Sequence, residues 1–335
     1  MKKFNIAVLG ATGAVGREML KVMEEYDIPV ETLLPLASAK SAGTEIEFKG
    51  QKIKVQEATD DAFKGMDFVL GAVQNPMSKR FAPAIVKAGA TYIDNSSAFR
   101  MDPEVPLVVP EINGEDAFTN KGIIANPNCS TIITLMAVAG IAKLSPIKNM
   151  IACTYQAVSG AGVNGLKELE DQMKALAEGG EITHKTFPTQ IAANVIPMIG
   201  DVKDNLYTSE EMKMQNEGRR ILHLPELVVN CTCVRVPVMR SHSISVTLRT
   251  EKKISIAEAN EAIKNYPGVK LIEDIDGRAY PTPLDTSNQD IVYVGRVRDD
   301  LTDDHGLTLW CCGDQVRKGA AANAVQIMKK LIEKA

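Results

Sequence analysis

The chain has 335 residues, 45% of them hydrophobic and 24% charged, with a formal net charge of −4. That length can bury a large core and suits two domains better than one. A weakly acidic chain without basic runs offers no electrostatic footprint for nucleic acid or an anionic membrane surface.

The chain opens "MKKFNIAVLGATG". Glycine interrupts the apolar run after a few residues, so it reads as neither a signal peptide nor a membrane span. No other segment has the uninterrupted apolar length, and a soluble, cytoplasmic protein is expected. "FNIAVLG" (4–10) has a buried-strand pattern, "GATGAVG" turns the chain, and "AVGREMLKVMEEY" is an amphipathic helix. "VETLLPLAS" (30–38) reads as a second strand and closes a βαβ unit. Alternation on either side of Lys49 and Gly50 predicts an inserted hairpin. "MDFVLGAV", the helix "KRFAPAIVKAGA", "TYIDNSS" and "VPLVVPEIN" continue the alternation of strands and helices. This half predicts an open, mostly parallel α/β sheet of the dinucleotide-binding (Rossmann-like) kind.

At 126–132 the chain reads "NPNCSTI", followed by the apolar "ITLMAVAGIAKL". Pro127 suits a turn, while Ser130 and Thr131 suit a helix start. Cys129 is therefore expected at a helix N-terminus, where unpaired N–H groups and the helix dipole favour a thiolate. Beyond it, strands are predicted at 150–158, 227–239, 242–252, 270–274, 290–297 and 306–312. Helices are predicted at about 164–178, 208–222 and 255–265, with capping boxes at Thr208/Glu211 and Ser255/Glu258. Strands in succession with helices set apart predict an α+β domain. "DDLTDDHG" (299–306) reads as a solvated loop and "KGAAANAVQIMKKLIEKA" as a last amphipathic helix. The expected division is 1–128 with 317–335, the C-terminal helix returning to the N-terminal domain, and 129–316.

The six cysteines have neither disulfide-scaffold nor zinc-knuckle spacing, and no metal is expected. Cys153, Cys231, Cys233, Cys311 and Cys312 lie in strand-like contexts and read as buried thiols. Cys129 stands apart from them.

Gly10, Gly13 and Gly16 lie between a strand and a helix. Such glycines let backbone approach a pyrophosphate that the helix N-terminus then receives, which makes the loop with Thr12, Ala14 and Val15 a candidate dinucleotide site. Where an NAD protein usually places an acidic residue after the second strand, this chain has Ser38, Lys40 and Ser41. Hydroxyls and an ammonium suit a 2′-phosphate, so the cofactor reading is NADP. Glycine-rich turns also serve tight packing alone, and a polar loop can follow a strand without reading a phosphate; both alternatives stay open here.

A nucleophilic cysteine with a nicotinamide cofactor implies exchange between an aldehyde and an acyl level through a thioester, which needs a base near the sulfur. His184 and His223 lie beside helix ends and His305 in the acidic loop. His242, in "VRVPVMRSHSISVTL", sits between strand-like runs and is the histidine best placed for function.

"LGATGAVG", "DNSSAFRMD", "NPNCSTI", "YQAVSGAG", "EEMKM", "CVRVPVMRSHS" and "KGAAANAVQI" together resemble aspartate-semialdehyde dehydrogenase, in that family's order and over essentially the whole chain. The resemblance implies reductive dephosphorylation of aspartyl 4-phosphate with NADPH at the branch toward lysine, threonine and methionine. It implies Cys129 as nucleophile and His242 as the acid/base that takes and returns its proton. Gln156 would orient the acyl group, Arg235 hold the substrate carboxylate, and Glu210 pair with its ammonium. Arg100 and Lys213 would bind phosphate, while Ser159, Gly160 and Asn323 would contact the cofactor. It also implies a homodimer or pair of dimers, with the β-rich domain as interface. One stretch departs from the family: Gln74 and Asn75 stand where a glycine pair is frequent, at a strand end that approaches the cofactor. N-acetyl-glutamyl-phosphate reductase is the nearest rival, although its cysteine motif resembles "PGCY". A thiol acyltransferase or a redox-inactive NADP sensor are rivals from other classes.

Overall fold

The computed structural model describes residues 2–272 and 279–334. The chain forms two compact units, Met1–Asn128 with Ala320–Ala335, and Cys129–Gly319. The division after Gly319 falls three residues beyond the boundary expected from sequence. Arg317 is the reason: it opens the π-helical turn Arg317–Ala321 and pairs with Asp290 at 2.7 Å, inside the second unit.

In the first unit, β1 (Phe4–Leu9), β2 (Val30–Ala37), β5 (Gln56–Glu57), β6 (Phe68–Gly71), β7 (Thr91–Asp94) and β8 (Ile123–Ala125) form one sheet, ordered β5-β2-β1-β6-β7-β8. Every pairing in it is parallel. Successive residues of β1 enter opposite layers, as the period of two requires. Ile6 and Val8 pack with Met19 and Met23 of α1 (Ala14–Glu25) and with Val325 and Met328 of the C-terminal helix Ala322–Lys334. Ala7 and Leu9 join Phe81 and Ile85 of α2 (Asn75–Lys87). The hairpin forms as predicted, β3 (Glu45–Phe48) and β4 (Gln51–Lys54) meeting across Lys49 and Gly50.

The structure departs from the sequence expectation at two places in this unit. The helix α2 begins at Asn75 rather than Lys79, because Pro76 occupies a first-turn position where no N–H is needed. "VPLVVP" yields one parallel bridge, Leu107 to Ala125, before the short α3 (Pro110–Asn113). Pro106 and Pro110 lack the N–H groups that a ladder uses.

The second unit holds β9 (Ile147–Gln156), β10 (Val228–Arg235), β11 (His242–Thr250), β12 (Val269–Ile272), β13 (Val292–Asp299) and β14 (Gly306–Gly313), ordered β10-β9-β11-β14-β13-β12. β10/β9 and β12/β13 pair parallel, the other neighbours antiparallel. The last two positions of the strand expected at 270–274 lie outside the described residues. The strand expected at 227–239 ends at Arg235, two residues before Pro237.

α4 (Cys129–Leu144) is buried from Ser130 through Ile141 and packs on this sheet. Apolar residues all round suit a helix enclosed on every side. No helix among the described residues is long and apolar enough to cross a membrane. The α-helices that follow are α5 (Gly162–Glu178), α6 (Ser209–Ile221), α7 (Ile256–Lys264), α8 (Pro283–Thr286) and, in the first unit, α9 (Ala322–Lys334). Both predicted capping boxes are present at α6 and α7. β10 is an edge strand, and side chains of α6 cover its outward N–H groups. Glu211 accepts from Cys233 N at 3.0 Å and Gln215 from Val229 N at 3.0 Å.

Candidate active site

The order of strands brings the reactive residues of the second unit together. β9 and β10 run parallel, with Gln156 opposite Arg235 at their C-terminal ends, while antiparallel β11 starts beside them with His242. Cys129 is the first residue of α4, and its Sγ lies 3.5 Å from His242 Nε2. The sulfur therefore meets both a helix N-terminus and an imidazole. The other five cysteines lie in β9, β10 and β14, and none of the six forms a disulfide. Cys153 is only half-buried, unlike the other four, on the face of β9 that it shares with the exposed Ile151 and Tyr155.

His242 is fully buried and preceded by Ser241 at φ 73°, a left-handed conformation unusual for a residue with a Cβ. That turn is held in place: Ser241 N–H donates to Gln315 Oε1 at 2.9 Å, and Arg240 Nε reaches Asp314 Oδ2 at 2.6 Å. The Ala157 main-chain N–H donates to His242 Nδ1 at 3.0 Å. An amide nitrogen can only donate here, so Nδ1 is bare and the neutral ring carries its proton on Nε2, toward the sulfur. Burial, reinforced by the nearby Arg235 charge, pushes the imidazole pKa down to about 3.

Gln156 is buried and donates Nε2 to Ser130 Oγ at 2.7 Å, with Thr154 Oγ1 at 3.3 Å and Glu210 Oε1 at 3.5 Å. Glu210, in the first turn of α6, also pairs with Lys213 at 2.8 Å. Arg235 is buried rather than solvent-facing, and its Nη1 donates to Ala157 O at 2.7 Å. Burial lowers its pKa, while Cys129 and Glu210 act in the opposite sense. A Cβ on Gly160 would stand 2.9 Å from Arg235 Nη1 and 3.4 Å from His242 Cε1, so glycine is what leaves these two side chains their room. Ser159 accepts a hydrogen bond from the Gln315 amide. Of the residues expected from sequence, this unit thus gathers Cys129, His242, Gln156, Arg235, Glu210, Lys213, Ser159 and Gly160.

In the first unit, Gly10 has φ +90°, and a Cβ there would lie 2.5 Å from Ala72 O. The chain can leave β1 so close to the residue that follows β6 only with glycine. Gly13 is the exposed N-cap of α1, whose first turn holds no acidic residue. An anion therefore meets helix N–H groups without a competing carboxylate, which is what a pyrophosphate needs. Ser38 and Lys40 are exposed in the turn after β2, closed by Ser41 N–H to Ser38 O at 2.9 Å.

Arg100 is buried and donates Nε to Asn126 O at 2.9 Å and Nη2 to Asn95 O at 2.7 Å. Asn323, also buried, donates to Val108 O at 3.0 Å and to Asn126 Oδ1 at 2.6 Å. Asn75 is tied to Ser97, accepting from its N–H at 2.9 Å and donating to its hydroxyl at 2.8 Å. Sequence reasoning missed Ala157, Ser130, Asn126 and Gln315. Asn126 and Ser130 flank the cysteine inside "NPNCSTI" and could have been found from that motif. Ala157 acts through its backbone and leaves no side-chain signal.

Two family profiles match the chain: semialdehyde dehydrogenase, NAD binding domain, over residues 5–119, and semialdehyde dehydrogenase, dimerisation domain, over residues 138–318. An aspartate-semialdehyde dehydrogenase of Synechocystis sp. is 47% identical over 98% of this chain and 97% of its own length. The chain belongs to the aspartate-semialdehyde dehydrogenase family. The aspartate-semialdehyde dehydrogenase of Bacillus subtilis is 45% identical over 98% of this chain and 97% of its own. Among solved structures, aspartate semialdehyde dehydrogenase II of Vibrio cholerae complexed with ASA superposes with a TM-score of 0.97, at 41% identity and 99% coverage of both chains.

Proposed function

We propose that the chain is an NADP-dependent aspartate-semialdehyde dehydrogenase, converting L-aspartyl 4-phosphate to L-aspartate 4-semialdehyde and phosphate in amino-acid biosynthesis. The observation that carries this reading is the placement of Cys129 Sγ at a helix N-terminus, 3.5 Å from His242 Nε2. The family resemblance supplies the substrate.

Cys129 attacks the acyl carbon and forms a thioester as the C–O bond to phosphate breaks. NADP, when bound, supplies the hydride chemistry at that carbon. In the last stage the C–S bond breaks and the sulfur leaves as thiolate. His242 keeps Nε2–H toward the sulfur, an arrangement that favours thiolate and can give a proton to a departing or developing anion. The tautomer set by Ala157 supports the proton-giving half of the expected role more directly than the proton-taking half. Gln156, anchored by Ser130, orients the acyl oxygen. Arg235 offers a planar fork to the substrate carboxylate, and Glu210 pairs with its ammonium. Arg100 and Lys213 are assigned to phosphate.

The residues assigned to the cofactor are Gly10, Thr12, Gly13, Ala14 and Val15, with Ser38, Lys40 and Ser41 reading the 2′-phosphate. Ser159, Gly160 and Asn323 complete that assignment. On this reading the first unit is the NADP-binding domain and the second the catalytic and dimerisation domain. The protein is read as a cytoplasmic homodimer or dimer of dimers. Ile151, Tyr155 and Val228, exposed on the strands of the second unit, fit such an interface.

The test is phosphate-dependent NADPH formation from aspartate semialdehyde, blocked by alkylation of Cys129. Turnover of N-acetyl-glutamate semialdehyde in preference, or thioester hydrolysis without redox change, would overturn the assignment.

A further inference from the structure

Between α5 and α6 the chain runs from 179 to 208 without a regular element, longer than most connections in a compact domain. Such a segment is ordinarily loose, yet two side chains one turn apart on α5 hold this one tightly. Glu168 is buried, and its carboxylate accepts the main-chain N–H groups of Lys185 at 2.9 Å, Thr186 at 2.5 Å and Phe187 at 3.3 Å. Gln172 donates to Thr183 O at 2.9 Å and accepts from Ile191 N at 2.9 Å and Ala192 N at 3.0 Å. A carboxylate is buried at a cost that only several donors offset, and here three converge on one group.

The segment held this way lies against one site residue. The Phe187 ring stands 5.9 Å from the Arg235 guanidinium carbon. Ile196 and Arg235 exchange both main-chain hydrogen bonds, at 2.9 and 2.8 Å. Phe187, Ile191, Ala192 and Ile196 pack with Val158 and Leu169 in a small core of their own. The fork of Arg235 thus has the Phe187 ring beside it and donates to the Ala157 carbonyl.

We propose that Glu168 and Gln172 are positioning residues that clamp the 183–192 segment so that Phe187 fixes the Arg235 guanidinium for the carboxylate of the amino-acid substrate. This rests on the assignment of Arg235 made above. Neither residue touches substrate, so the effect falls on one Michaelis constant rather than on the chemical step.

The experiment is steady-state kinetics with melting temperatures for Glu168→Ala, Glu168→Gln, Gln172→Ala, Phe187→Leu, the Glu168→Ala/Phe187→Leu double variant and Arg235→Leu. The KM for aspartate semialdehyde should rise about tenfold in Glu168→Ala, with kcat and the KM values for phosphate and NADP within about twofold. Gln172→Ala, the milder change should Glu168→Ala fold poorly, should move the same constant. The double variant should be no worse than its worse parent, since both changes release the same contact. Glu168→Gln, keeping one oxygen, should recover part of the loss. The clamp is overturned if all three KM values rise and kcat falls together with Tm, or if the double variant is additive. An aldehyde KM that rises in Arg235→Leu but not in Glu168→Ala overturns the clamp alone. One indifferent to Arg235→Leu overturns the Arg235 assignment and the clamp with it.

Discussion

The main-chain N–H of Ala157 stands 3.0 Å from Nδ1 of His242, and that single donor sets the imidazole's tautomer. Protonating Nδ1 would turn two donors against each other in a buried place, in keeping with a ring pKa near 3, driven first by burial and then by Arg235. An unperturbed histidine titrates at 6.5. Between those values the unfolded chain takes a proton that the folded one refuses. The stabilisation is therefore whole above pH 6.5 and is lost as pH falls toward 3, with a slope of at most about 1.4 kcal/mol per pH unit. Urea midpoints between pH 7 and 5 should fall more steeply for the wild type than for His242→Asn. Equal slopes would mean that the folded imidazole titrates like an exposed one.

Gly160→Ala should reduce kcat/KM for aspartate semialdehyde by roughly tenfold or more, since the new methyl would sit 2.9 Å from Arg235 Nη1. The cost should lie mainly in KM, because the guanidinium is the group that must move. An unaltered KM would show that Arg235 has room to spare.

Cys129→Ser should abolish turnover and leave NADP affinity nearly unchanged, because a hydroxyl without a strong base is a poor nucleophile. Its Tm should change little, as the sulfur only opens α4 while the enclosed residues run from Ser130 to Ile141. Turnover within about tenfold of wild type would remove Cys129 from its role.

Lys40→Glu should shift preference from NADP toward NAD, by repelling a 2′-phosphate and offering an acceptor to a ribose hydroxyl. The measurement is the ratio of kcat/KM for the two cofactors. If it stays constant, another residue reads the phosphate.

Arg100→Leu and Lys213→Met should both raise the phosphate KM, yet differ in stability. Removing Arg100 strips donors from the carbonyls of Asn126 and Asn95, a loss of about 1–3 kcal/mol for each group left buried and unpaired. Lys213 is partly exposed and pairs with Glu210 in the first turn of α6, so its removal should leave Tm close to wild type. Thermal melts beside the two kinetic assays check both halves.

Local chemistry was readable from the residues, and three-dimensional convergence was not. The Thr208/Glu211 and Ser255/Glu258 boxes, the Lys49–Gly50 turn and the helix start at Cys129 each rest on neighbours in sequence, and each is found in place. Gln156 and Arg235 meet only because β10 lies parallel beside β9, a pairing between strands more than seventy positions apart that no period reveals. An arginine in an alternating strand has no local signal of burial, and Arg235 is buried through the same pairing. The α2 start was misplaced because Pro76 reads as a breaker unless its first-turn position is recognised. The segment between α5 and α6 has no periodicity, so its attachment to Glu168 and Gln172 had no signature to read.

The sulfur and the proposed carboxylate anchor have unequal surroundings. Cys129 caps a helix sealed on all sides, while Arg235 ends an edge strand flanked by irregular chain. On the proposed roles, substitutions along residues 183–196 would change what lies against the guanidinium while leaving the residues of α4 themselves untouched. With those roles, selection could alter which small acid is accepted one residue at a time, while the helix that carries Cys129 is inherited intact.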